Sequence, residues 1–158
     1  MITKSEIITN AFPRTNVSEY HIMDSFIAVV KDKHLRGILG DDFYDDFIVN
    51  YADYADLLAV VKPMLAWFVK YYALPSIYAD VSTTGVKKLE SNNATSAGGD
   101  ELGTLKQQAL DMANGYANMV YRTLENGTYP LWNNRSRVSI AGGIIMQHYT
   151  DEYENNYD

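Results

Sequence analysis

The sequence predicts an all-α fold: a single-domain bundle of about five helices, with a mobile polar loop and an extended C-terminal segment. Three observations carry this prediction. Apolar residues recur at three- and four-residue steps in several runs, as one face of a helix requires. Capping signals stand before these runs, and Gly or Pro stands after them. Finally, 158 residues with 47% hydrophobic and 21% charged side chains suit one core, and no internal repeat or linker divides them.

The elements follow in order. Thr3-x-x-Glu6 has capping-box spacing for a short first helix, which Pro13 should end. Asn16-x-x-Glu19 gives a similar signal for a second, with Tyr20, Met23, Ile27, Val30 and His34 tracing its inward face. Gly37 and Gly40 break that pattern, and Asp41 or Asp42 caps a third helix with Phe43, Phe47 and Ile48 inward.

The fourth helix is the most apolar. Leu57, Val61, Met64, Phe68 and Tyr72 form one stripe, with Leu58, Leu65 and Val69 beside it, so it must be covered on several sides. Pro63 should kink it or mark a restart, and Pro75 should bring it to an end within residues 74–79. Residues 80–99 turn polar and read as the mobile loop. Asp100 then caps a fifth helix whose inward face is Leu102, Leu105, Ala109, Met112, Ala113, Tyr116, Val120 and Leu124, ended by Asn126-Gly127. TYPLWNNRSR reads as a loop with two large aromatics, and VSIAGGIIMQHY as an extended or hairpin-forming stretch bent at Gly142-Gly143.

Thirteen Lys and Arg against twenty Asp and Glu give a formal charge of -7, which disfavours a phosphate-neutralising grip on nucleic acid or attraction to anionic lipid. With no cysteine, disulfides, thiolate metal sites and thiol nucleophiles are excluded. The opening MITKSEIITNAF lacks the apolar stretch of a signal peptide, so the expected site of synthesis is the cytosol and the four N-x-[ST] triplets, at Asn16, Asn93, Asn126 and Asn134, carry no weight. Lys62, Pro63, Lys70 and Pro75 interrupt the stretch over residues 57–79, which argues against a membrane span and for a partner set without membrane.

The sequence carries no local signature of catalysis. His21, His34 and His148 stand in no H-E-x-x-H frame, and no G-x-S-x-G, P-loop or G-x-G-x-x-G pattern is present. GDDFYDDF places Asp41 with Asp45, and Asp42 with Asp46, on shared helical faces. Such carboxylates, with His34, could hold a divalent ion, but Asp at a helix start more simply answers free N–H groups and the dipole. No catalytic residue, cofactor or metal is therefore expected. Tyrosine is abundant, at 13 copies. Aromatics at helical spacing usually serve the core, yet Tyr and Trp also anchor interfaces. The candidate interface residues are Trp67, Tyr71, Tyr129 and Trp132, with Ile140, Ile144 and Ile145 of the extended stretch, which could add a strand to a neighbour.

The run YADLLAVVKPMLAWFVKYYALPSIYADVSTTGV, the polar loop SNNATSAGGDEL and the run LKQQALDMANGYANMVYRTLENGTYPLW together resemble the head-to-tail connector, or adaptor, proteins of tailed bacteriophages. The likeness is greatest to versions from phages of Bacteroides-type hosts, including crAss-like phages. It covers roughly residues 43–132 and, more loosely, the N-terminal helices; residues 133–158 do not follow the family pattern. It implies a helical adaptor-like domain over 1–132, followed by a C-terminal segment over 133–158 that a partner could order. It also implies a non-enzymatic virion protein at the neck, assembled in the host bacterial cytoplasm. Such a protein forms a dodecameric ring on the portal protein, meets tail or other ring proteins, and lets encapsidated DNA pass without specific binding. The alternative is a cytosolic protein-protein interaction module, and the third reading a carboxylate- or metal-dependent enzyme at the Asp cluster.

Overall fold

Thr3 opens the first helix as its spacing predicts. In the computed structural model, which describes residues 1–12, 17–83, 98–133, 138–141 and 144–147, α1 is Lys4–Ala11. The Thr3 hydroxyl accepts from the Glu6 amide at 3.2 Å, and the Glu6 carboxylate accepts from the Thr3 amide at 2.8 Å. This reciprocal pair satisfies donors that a helix start leaves free. Ile7 and Ala11 bury one face. Two lysines of the long central helix hold α1: Lys62 Nζ lies 2.6 Å from Glu6 Oε1, and Lys70 Nζ donates to the Ala11 carbonyl at 2.7 Å. A cation on the last carbonyls suits the negative end of a helix.

The second helix begins later than its capping signal predicts. Asn16 lies outside the described residues; Ser18 caps instead, accepting from the Tyr20 amide at 3.2 Å, and opens only a 3-10 turn, Glu19–His21. Helix α2 is Asp24–Val30, and it runs without a break into a π-helical stretch, Lys31–Arg36, and then α3, Gly37–Leu39. Tyr20, 84% exposed, and Met23, 47% exposed, leave the predicted inward face, and the buried set is Ile22, Val30, Leu35, Ile38 and Leu39. Tyr20 sits in the 3-10 turn and Met23 is the extended residue ahead of α2, at φ -74° and ψ 140°, so neither stands on the helical face. The π turn then places Leu35 on the side of Val30, since it brings residues five apart onto one face. Gly37 does not break the helix, its φ being -60°. Gly40 does, at φ 78°, a region that side chains disfavour.

Helix α4, Asp41–Asn50, buries Phe43, Tyr44 and Phe47. A 3-10 turn, Tyr51–Tyr54, leads into α5, Ala55–Thr83, which contains both prolines and ends at neither. Each proline removes one i→i−4 bond. Packing outweighs that cost, because α5 is the hub against which α1, α2 and α6 pack. Leu57, Val61, Met64, Leu65, Ala66, Phe68, Val69, Ala73 and Leu74 are all buried, as an almost wholly apolar helix requires.

Helix α6, Gly98–Asn126, returns along α5. Of the residues expected to form the loop, 80–83 belong to α5 and 98–99 to α6, while 84–97 lie outside the described residues. The buried face of α6 is Ala109, Ala113, Ala117, Val120 and Leu124; three alanines at four-residue steps let two backbones approach closely. TYPLW is not all loop: Pro130–Asn133 form a short α7, with Pro130 in the first helical position, where its fixed φ is an advantage. Within the stretch expected to be extended or hairpin-forming, β1 Val138–Ala141 pairs antiparallel with β2 Ile144–Gln147, in the register Ile140↔Ile145 and Ala141↔Ile144; the bend expected at Gly142-Gly143 lies outside the described residues. The fold is thus an all-α domain with one small hairpin beside α3.

Candidate interaction groove

On one side of the α5–α6 pair lies an open, mainly apolar groove of about 390 Å³, lined by Trp67, Lys70, Leu105, Gln108, Ala109, Asp111 and Met112. Its position follows from helical geometry. Trp67 and Tyr71 are four apart and flank the buried stripe of α5, while Leu105, Met112 and Met119 are seven apart and flank that of α6. These α6 residues are not core: Met112 is 43% and Met119 46% exposed. The inward face predicted for α6 is therefore rotated toward an edge that the protein leaves open.

Two cations lie over the aromatic groups here. Lys70 Nζ is 4.5 Å from the Trp67 ring centroid and 4.9 Å from that of Phe12, and Lys106 Nζ is 4.8 Å from that of Tyr71. Burial lowers the Lys70 pKa from its ordinary value, since a low-dielectric setting disfavours the charged form. Among the described residues no carboxylate pairs with it; its direct acceptor is the Ala11 carbonyl. Asp111, the carboxylate lining the groove, is exposed and accepts from Gln107 at 2.8 Å.

The structure brings together two of the predicted interface residues and separates the rest. Trp67 and Tyr71 share the groove side. Tyr129 is half-buried among Phe43 and Tyr54, with ring centroids 5.6 and 6.2 Å away, and burial raises its pKa. Trp132 is buried, 4% exposed, and its indole N–H donates to the Ile38 carbonyl at 3.3 Å; it fastens α7 to the end of α3 and offers no surface. Ile140, Ile144 and Ile145 lie on the hairpin strands. The sequence reading missed Lys70, Leu105 and Met112 as site residues; a heptad stripe of Leu and Met beside an already complete core face was the signal available.

The Asp cluster is used within the fold. Arg36 spans Asp32 at 3.0 Å, Asp41 at 3.1 Å and Asp45 at 3.7 Å, and its guanidinium lies 4.3 Å from the Tyr44 ring centroid. Asp46 accepts from Asn50 at 2.8 Å and from the Tyr54 hydroxyl. The bond from Tyr54 holds the Asp46 carboxyl below its usual range, and the same carboxylate pushes Tyr54 up to about 12. His34 is elsewhere: it stacks on Phe68 at 3.7 Å, and its Nε2 lies 3.3 Å from the Tyr72 hydroxyl. Burial, then the Lys33 charge, lowers it to about 4, so it stands neutral at pH 7. Among the described residues no three His, Asp or Glu converge as a metal site would need.

One stretch among the described residues, Asp41–Tyr78, is long and apolar enough to pass for a membrane span, and half of its most apolar window is packed inside the domain. A core helix passes that test equally well.

A protein-family model described as a family of unknown function, DUF6712, matches residues 29–140, a stretch that contains the whole groove. No curated protein and no solved structure matches the chain.

Proposed function

We propose that this chain, which belongs to the DUF6712 family, works through its surfaces as a structural assembly subunit: a head-to-tail adaptor that forms a ring on a phage portal and extends the DNA channel toward the tail. One observation carries the assembly part of this reading. The α5–α6 groove presents Trp67, Leu105 and Met112 to solvent along one side of the central helix pair, with Lys70 bound to no carboxylate among the described residues. Aromatic and Met side chains in a concave apolar site are the composition of a protein interface core. The adaptor part rests on the likeness of residues 43–132 to phage connectors, and the helical domain agrees with it.

Mixing the purified chain with the portal protein encoded in the same genome tests the reading by negative-stain microscopy and mass photometry. Rings carrying one copy of the chain per portal subunit are expected. A chain that remains free in the presence of assembled portal would overturn the adaptor role, and virions lacking its peptides at portal-like copy number would do the same.

A further inference from the structure

We propose that the α5–α6 groove of one copy receives the acidic, tyrosine-bearing segment 148–158 of a neighbouring copy. This deepens the self-assembly reading and rests on it. The groove combines an apolar floor of Leu105, Ala109 and Met112 with the Trp67 face and the Lys70 ammonium. Lys106 lies over Tyr71 beside it. Lys70 and Lys106 against Asp111 make this place locally cationic in a chain of net charge -7. Its ligand should therefore offer both aromatic rings and carboxylates.

Segment 148–158, HYTDEYENNYD, offers both. Tyr149, Tyr153 and Tyr157 recur every four residues, interleaved with Asp151, Glu152, Glu154 and Asp158, and no Lys or Arg accompanies them. The polar segment 84–97, TGVKKLESNNATSA, has the wrong chemistry, carrying Lys87 and Lys88 and no aromatic. Reach is ample. The segment begins directly after β2, which ends at Gln147, and eleven extended residues span at most about 36–40 Å, comparable with the roughly 44 Å length of a 29-residue helix such as α5. A groove and a separate segment on the same chain make a head-to-tail contact, the type that closes into a ring when the rotation per subunit allows.

The absence of cysteine permits a clean test on the full chain. Gln108→Cys and Tyr153→Cys proteins, made separately, are mixed under assembling conditions and mildly oxidised. The expected result is a disulfide-linked heterodimer joining residues 108 and 153, which is lost when Asp151→Asn, Glu152→Gln and Glu154→Gln are introduced together into the Tyr153→Cys protein. An Asn93→Cys protein that captures the Gln108→Cys protein in place of the Tyr153→Cys protein would overturn the proposal. So would a double variant, Gln108→Cys with Tyr153→Cys, that closes its disulfide only within one chain. Rings that form on the portal without any 108–153 link would sink the docking and leave the adaptor reading standing. A link between chains without rings would do the reverse.

Discussion

Replacing Trp132 with Ala tests the largest disagreement between the sequence reading and the structure, because the sequence offers this residue to an interface and the structure holds it in the core. The side chain is 4% exposed, and truncating a buried Trp costs about 3–5 kcal/mol in lost contacts and cavity. Its indole N–H also answers the Ile38 carbonyl, in the last turn of α3, where no intrahelical donor reaches. Leaving that carbonyl unpaired adds about 1 kcal/mol. The sum, about 4–6 kcal/mol, rivals the whole stability of a marginal domain and corresponds to a melting temperature lower by about 10–20 °C. Trp132→Phe keeps most of the apolar volume and loses the hydrogen bond, so about 1–2 kcal/mol is expected for it. Urea unfolding followed by far-UV circular dichroism, with Trp67 as the remaining fluorophore, measures both variants. A Trp132→Ala protein within about 1 kcal/mol of the parent would refute the burial argument. One that kept its stability and lost assembly would restore the interface role.

Further outcomes follow from single groups. His34 has its pKa lowered by burial to about 4 against 6.5 for the free side chain, so the unfolded chain binds the proton first as pH falls. The stability it allows is whole above pH 6.5 and lost progressively toward pH 4. With part of the ring still near water, that loss is on the order of 2 kcal/mol; His34→Gln should flatten this part of the pH–stability curve, and equal slopes in parent and variant would exclude His34 as its source. Gly40→Ala must hold a side chain at φ 78° and should lower stability by about 1–2 kcal/mol. Gly115→Ala meets nothing within 4 Å inside α6 and should raise it by about 0.5–1 kcal/mol; thermal melts of the pair that moved in the same direction would contradict the backbone assignment. Glu6→Ala removes both the capping partner of Thr3 and the carboxylate held by Lys62. The expected cost is about 1–2 kcal/mol, with faster hydrogen exchange confined to α1; unchanged exchange there would show that α1 is held by burial alone.

What could be read in advance was what local rules decide. The Thr3–Glu6 box, the break at Gly40, the end of α6 at Asn126 and the pairing potential of residues 138–147 each rest on backbone chemistry within a few residues. Features decided by tertiary packing were not visible. Pro63 and Pro75 each carry a helix-breaking cost of about 3 kcal/mol, and only the elements packed along α5 make its continuity favourable. Helix α7 spans four residues, too few for a period to show. For the groove, Trp67 and Tyr71 were legible as aromatics beside a core stripe. The exposure of Leu and Met on α6 was not, since periodicity gives the axis of a buried face and not its width.

The π turn over Lys31–Arg36 also bears on how this sequence can change. Val30 and Leu35 are both buried although five residues separate them, a spacing that an ordinary helix, at about 100° per residue, would turn well away from a common side. The widened turn absorbs one residue more than an α-helical turn between the same two anchor points. Loss of a single residue here would therefore leave an α-helix with Val30 and Leu35 four apart and both still inward, whereas gain of one would push Leu35, Ile38 and Leu39 out of the core together. Among relatives of this chain, length differences between those anchors should thus run one way, toward the shorter form.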